Sequence, residues 1–360
     1  MTSTPPRVQP TPVTPDVESD DLRAVAPRPW PVRWVTSGGN WVLVLDLLLV
    51  VLFTVLSTNN VFFSSANFQA LMLGGAEGLL LALGLAMLMG AGFFDLSLGA
   101  NLVLSSVVGA AIVRHIAGAT PNAAGNFRNV GLAMVLGLLG CLATGFVYGL
   151  VNGLIIAYLD VNSLIATLGT LGIGTGIAYV ITNGGDIGGL PPKLQSSFGI
   201  AAVAGVPLPA LVGLVLAVVC WAVLTYTRFG TRTLAIGSLR AAAERAGIRV
   251  KPHIVMLALI AGTLAGLAGF VDIARFGTTT VAGHAEDGLA AVTAVVIGGT
   301  LLEGGRVSIP GAVWGTGLAI ILSDGLVVLG VAPFYQLIVI GVVLVAAVAL
   351  DRLRYRREPH

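Results

Sequence analysis

The sequence predicts an all-α polytopic membrane protein with about ten transmembrane or partly broken helices. Three observations carry that expectation. The 360 residues are 56% hydrophobic and only 10% charged, against roughly 25% charged in soluble domains. The mean hydropathy is +0.94, too apolar for one globular core, because a globule still needs a polar skin. The charged residues also gather in a few clusters between long apolar runs, and glycine reaches 48 residues, as helices that pack closely in lipid require.

Residues 1–38 read as a disordered cytoplasmic tail. Eight of the seventeen prolines lie in the first 35 residues, and the apolar stretch of a secretory signal is missing. Trp30, Trp34 and Trp41 flank the first apolar run like an interfacial aromatic belt. Candidate spans follow near 41–57, 68–91, 96–117, 129–159, 162–182, 199–226, 252–275, 289–302, 307–330 and 334–350. Segments 162–182 and 289–302 are Gly-rich or short, so either reads as re-entrant or broken. Residues 39–351 then form one transmembrane domain, followed by a basic segment, 352–360.

Fourteen of the nineteen Lys and Arg residues fall in the tail, between 228 and 251, or at the C-terminus. Six spans before the middle cluster and four after it put all three on one side. By the positive-inside rule that side is the cytoplasm. A net charge of +2 gives no sign of a nucleic-acid partner. Cys141 and Cys220 lie within apolar runs and read as small buried hydrophobes.

The middle cluster, AIGSLRAAAERAGIRVKPH over 235–253, predicts a two-turn helix at 239–246. Ser238 can cap it, Ala241–Ala243 favour it and Gly247 can stop it. So short a helix is marginal alone in water and must rest on something; Leu239, Ala243 and Ala246 offer an apolar edge. It is either a solvated loop that fixes topology or a docking element within 231–251 for a cytoplasmic partner.

No G-x-x-x-x-G-K-[ST] phosphate loop and no hydrolase signature is present. Five ionisable residues, Asp46, Glu77, Asp272, Arg275 and Asp324, lie in or near spans, where such groups are costly. Asp272 and Arg275, three apart, can pair on one helix. Glu77 and Asp324 are harder to explain locally and keep an ion-coupled secondary carrier open as the alternative reading; a membrane-embedded enzyme or structural subunit is a third.

Three stretches combine glycine with polar residues at span edges: 90–110, 149–185 and 289–315. In the first, Asp95 followed by Ser97 can cap a span. Ser97, Asn101 and Ser105 step along one helical face, and Thr167 and Thr170 add hydroxyls in a Gly-rich segment. A polar solute shedding water needs such partners, although helix–helix hydrogen bonding explains them equally well. Residues 78–109 and 288–319 also share a faint Gly-turn pattern in the same orientation.

Four collinear motifs resemble the membrane permease of sugar ATP-binding cassette (ABC) importers of the ribose/xylose/galactose type. They are Gly92-Phe93-Phe94-Asp95-Leu96-Ser97-Leu98-Gly99-Ala100, Asn152–Ala157 with Leu164–Thr170, Ala235-Ile236-Gly237 with Ala242, Ala243, Gly247 and Ile248, and Val296–Thr300 (including Gly298 and Gly299) with Gly304-Gly305 and Ser308. Phe93-Phe94, Leu239 and Asp324 depart from the pattern, which puts the particular sugar in doubt. The resemblance implies a multi-pass subunit of the bacterial plasma membrane with both termini cytoplasmic. It implies no cofactor on this chain, ATP and Mg²⁺ being held by partner ATPase subunits. It also implies an extracytoplasmic sugar-binding protein, meeting outer loops such as 183–198 and 276–288, and a second permease copy or a close relative. In that family the ATPase docks on a coupling helix, here Gly237, Ser238, Leu239, Arg240, Ala243, Glu244, Arg245 and Gly247.

Overall fold

The computed structural model describes residues 40–345, except 123, 124, 285, 333, 337, 340, 343 and 344. The expected tail, Trp30, Trp34, the basic C-terminal segment and much of the tenth expected span lie outside the described residues. Among the described residues eleven α-helices of six residues or more follow one another: α1 (Asn40–Leu56), α2 (Ser65–Gly90), α3 (Leu98–Ala117), α4 (Val130–Tyr158), α5 (Ser163–Thr182), α6 (Leu208–Tyr226), α7 (Arg228–Ser238), α8 (Arg240–Arg245), α9 (Val250–Phe276), α10 (Asp287–Ile297) and α11 (Ile309–Val328).

Among the described residues seven helices are long and apolar enough to cross a membrane: α2–α6, α9 and α11. The 17-residue α1 falls just short of that length, and α10 has only 11 residues. The expected span at 199–226 begins late. Ala202–Val203 pairs with Val206–Pro207 as a small hairpin, turned by Ala204 and Gly205 at φ 51° and 85°, and the helix starts only at Leu208. Of the two segments expected to be irregular, 162–182 is a regular helix, capped by the Asn162 side chain accepting from the Leu164 N–H. The other is broken, as its length foretold. At about 1.5 Å per residue, α10 spans about 16 Å of a roughly 30 Å hydrocarbon layer.

The central helix is α9, packed by α2, α3 and α4. Its tightest seam is made of small residues. A Cβ on Gly145 or Gly149 of α4 would collide with backbone of α9 at Gly262 and Gly266 or at Ala258 and Gly262. Without a hydrophobic drive between helices in lipid, such close backbone approach is what holds them together. The outward faces stay apolar: Leu132, Val135, Leu139, Ile165, Val180 and Val218 are all exposed.

The break before α10 shapes the interior of the bundle. Residues 277–286 leave the end of α9 and turn back inward, so that α10 begins against the start of α3. A Cβ on Gly99 would stand 2.7 Å from the His284 carbonyl, and one on Gly288 would collide with the Leu96 carbonyl. Two helix N-termini thus meet inside the protein. Thr279 and Val281 do join the 183–198 loop, through the Asp186 carboxylate and Ile187 backbone, but Thr279, Val281 and His284 are buried.

Candidate functional site

The charged segment forms two helices at one end of the bundle. Thr227 caps α7, its side chain accepting from the Gly230 N–H at 3.4 Å. The helix is fixed to α9 by Thr233 Oγ1, 2.8 Å from His253 Nε2, and by the Phe229 ring, 4.3 Å from the His253 ring. Leu239, in extended conformation, separates α7 from α8. Ser238 therefore does not cap α8; it closes α7 instead, its hydroxyl donating to the Leu234 carbonyl.

Gly247 ends α8 as expected. At φ 81° its N–H donates to the Glu244 carbonyl and the Ile248 N–H to the Ala243 carbonyl, the paired bonds of a Schellman stop. The expected apolar edge is only partly formed. Ala243 is buried against the bundle, whereas Leu239 is 58% exposed and Ala246 also faces out. One short turn can rest a single small side chain on α9, so Leu239 is left as an apolar knob between Arg240, Glu244 and Arg245. Arg240 reaches Glu244 at 3.2 Å and Asp160 at 3.7 Å, exposed pairs of little stabilising value. Beside α8 opens a cavity of about 480 Å³ bounded by Phe229, Arg232, Gly247, Arg249 and Met256.

Behind α7, three glycine turns meet. Gly92 ends α2 and Gly299 ends α10 with the same Schellman bonding as Gly247: Gly92 and Phe93 donate to Met89 and Leu88, and Gly299 and Thr300 donate to Val296 and Val295. The Gly305 N–H donates to the Gly90 carbonyl at 3.1 Å. A Cβ on Gly237 would collide with both of those groups, and one on Gly304 would stand 2.9 Å from the Gly237 and Gly92 Cα atoms. Gly298 is packed just as closely on Gly311 of α11. The end of α7 therefore touches the turns after α2 and α10 backbone to backbone.

From Gly92 the chain climbs back to α3 through a buried polar knot. Asp95 Oδ1 accepts from the Ser97 N–H at 2.8 Å and from the Ser97 hydroxyl at 2.5 Å. Asn152 of α4 donates to Asp95 Oδ2 and to Ser97 Oγ. The backbone N–H groups of Phe94 and Leu96 donate to the hydroxyls of Ser163 and Thr167 on α5. Asp95 thus holds the start of α3, while Ser97 makes no side-chain cap of its own.

The residues expected to line a pathway are engaged inside the chain. Asn101 donates to the Gly262 carbonyl of α9 at 3.2 Å, and Ser105 donates to Asn101. Ser97, Asn101, Ser105 and Thr167 are all at most 1% exposed, and Thr170 is 7% exposed. Ser97 and Asn101 are bonded across to α4 and α9, whereas the Ser105, Thr167 and Thr170 hydroxyls donate within their own helices. Spacing along one helix could not say what stood opposite.

The ionisable residues are also partnered differently from the local pairing expected. Arg275 lies 3.5 Å from Glu77 on α2 rather than pairing with Asp272, which instead meets His284 at 3.1 Å. Asp324 accepts from the Asn67 amide at 2.8 Å. Asp46 is buried beside Gly317. Glu77 and His284, separated by over two hundred positions, could not be joined from sequence. The glycine contact at Gly237 was likewise beyond it, although the unusual density of glycine in three motifs was a signal.

A helical bundle with a broken helix and an exposed short helix tied to it backbone to backbone has the build of a membrane transport subunit. A family described as the permease component of a branched-chain amino acid transport system matches residues 69–348. The ribose import permease protein of Bacillus subtilis is 36% identical over 306 residues, 85% of this chain and 90% of its own length. The galactose/methyl galactoside import permease protein of Salmonella typhimurium is 31% identical, covering 91% and 97%. The D-allose transport system permease protein of Escherichia coli is 34% identical over 72% of this chain and 75% of its own length. No solved structure matches the chain. The chain belongs to this permease family; it is the transmembrane subunit of an ABC importer and a multi-pass protein of the inner membrane.

Proposed function

We propose that this permease carries a monosaccharide of the ribose, galactose or allose kind, delivered by an extracytoplasmic binding protein and driven by ATPase subunits docked on α8. The relatives' substrates support the first part. Support for the second rests chiefly on the Gly237 contact. An ATPase gripping Leu239, Arg240 and Arg245 moves α7, and α7 has no slack before it moves the turns after α2 and α10. ATP and Mg²⁺ stay on the partner, and the α8 end of the bundle, with both termini, faces the cytoplasm.

A second permease copy fits against α5. Gly169, Gly172 and Gly176 lie on its exposed side with nothing within 4 Å of a Cβ on any of them, a surface that allows close helix approach. Solute then moves between two copies, which agrees with the engagement of Ser97, Asn101 and Ser105 inside one.

The test is transport in proteoliposomes holding permease, ATPase and binding protein. Arg245→Glu is expected to lower ATPase co-purification and sugar uptake together while the melting temperature stays unchanged. Normal uptake and co-purification in Arg245→Glu and in Gly247→Pro would refute docking on α8. Uptake driven by a proton or sodium gradient without ATPase would return the ion-coupled reading.

A further inference from the structure

Away from the lever, three elements bring donor groups together inside the bundle. Glu77 of α2, Asp272 of α9 and His284 of the 277–286 link are 6%, 0% and 8% exposed, and one donor atom from each lies within 4.8 Å of the others. His284 is oriented by Asp287 at the start of α10, whose carboxylate lies 2.7 Å from Nδ1. That leaves Nε2 facing Asp272 Oδ1 at 3.1 Å. The Thr280 hydroxyl sits 2.9 Å from Asp272 Oδ1 and 2.8 Å from His284 Nε2. Asp272 Oδ2 is fully buried and has no hydrogen-bond partner among the described residues.

A buried carboxylate oxygen without a partner is costly, so something is missing beside it. The charges say what. Glu77, Asp272 and Asp287 face one fixed cation, Arg275, whose guanidinium is 3.5 Å from Glu77 and partly exposed. When a cation replaces any proton on His284 Nε2, the three carboxylates against Arg275 leave two negative charges, the number a divalent cation neutralises. An imidazole nitrogen with two carboxylates suits zinc and its first-row neighbours better than the all-oxygen shells of calcium or magnesium. A carboxylate on the far nitrogen of the imidazole is the usual outer support of a metal-bound histidine.

We propose that Glu77, Asp272 and His284 bind a divalent transition-metal cation of the zinc type, with Asp287 as the positioning carboxylate. The cation pins α2 and α9 to the link that carries the half-helix α10. The cluster lies near the end of α9 opposite to the end that joins α8.

The test uses the tag-free full-length chain in detergent, stripped with EDTA and titrated with Zn²⁺ by calorimetry, with elemental analysis and melting curves alongside. One saturable equivalent per chain is expected, with a rise in melting temperature that EDTA reverses. Glu77→Gln and Asp272→Asn should each abolish the equivalent, and Asp287→Asn should weaken it about ten- to a hundredfold. Co²⁺ in place of Zn²⁺ should give a visible absorption band that His284→Gln removes. Each variant's fold is checked by gel filtration before titration, and Asp287→Asn, which removes no metal ligand, decides if the ligand variants do not fold. No stoichiometric binding by the wild type, or equal affinity in wild type and Asp287→Asn, overturns the proposal.

Discussion

The unit from α2 to α3 and the unit from α10 to α11 follow one local plan and fasten it differently. In each, a helix ends in a Schellman glycine, Gly92 or Gly299, and a Gly-rich turn leads to the next helix. The first unit starts its second helix with a side-chain knot, Asp95, Ser97 and Asn152, reaching across to α4. The second starts with a local cap: the Ser308 hydroxyl accepts from the Gly311 N–H, and Thr300 Oγ1 accepts from the Ser308 N–H. Beyond that cap, the second unit is held by backbone contact, Gly298 on Gly311 and Gly304 on Gly237. Side-chain ties choose partners by direction; glycine contacts choose them by the absence of space. Both units touch α7 by the same means, the backbone of Gly237 against the Gly90 carbonyl and the Gly305 N–H; they differ in how each starts its second helix.

Breaking the backbone contact should cost most. Gly237→Val places side-chain carbon into the Gly90 carbonyl and the Gly305 N–H. Because backbone cannot step aside as a core side chain can, the loss is expected to reach or exceed about 3 kcal/mol, the upper part of the usual overpacking range. Thermal unfolding in detergent reads the loss. In a variant that still assembles, ATP hydrolysis should persist while uptake falls.

The side-chain knot should come next. Asp95→Asn keeps the shape but turns an acceptor of three hydrogen bonds into a group with a single acceptor oxygen. Either the Asn152 amide or the Ser97 pair then loses its partner. A loss of about 1–3 kcal/mol per stranded group is expected, and Asp95→Asn with Asn152→Asp should recover part of it if the pair is coupled. Strictly additive melting-temperature changes would show that the knot is not one unit.

Ser308→Ala removes a local cap and should cost about 1 kcal/mol, visible as a smaller shift in the same melt. Were it to match Asp95→Asn, the two units would not differ in the way described. Smallest in stability is Leu239→Ser on the exposed knob. It should leave the melt unchanged and show its effect only in ATPase association.

Much of the bundle is legible in the chain itself. Apolar runs of sufficient length place α2, α3, α4, α5, α9 and α11 to within a few residues, because a membrane fixes helix length and composition together. The short, Gly-rich run near 289–302 announces its break for the same reason. Where length is not limiting, reading fails: 199–207 is as apolar as a span yet forms a hairpin, because Ala204-Gly205 supplies a turn that hydropathy does not register. The charged segment stands out by its contrast with everything around it, and Gly247 marks its end.

Partners were decided in three dimensions. Ser97, Asn101 and Ser105 form a polar stripe in any reading, but only the folded chain sets Asn101 against α9 and Ser97 against α4. Arg275 pairs with Glu77 across the bundle rather than one turn along its own helix. Asp272 and His284 meet only because 277–286 turns inward. Sequence fixes what a short stretch of backbone must do in lipid, since every peptide group there has to be satisfied nearby. Which long-range pair satisfies a charge is a property of packing, and only the folded chain sets it.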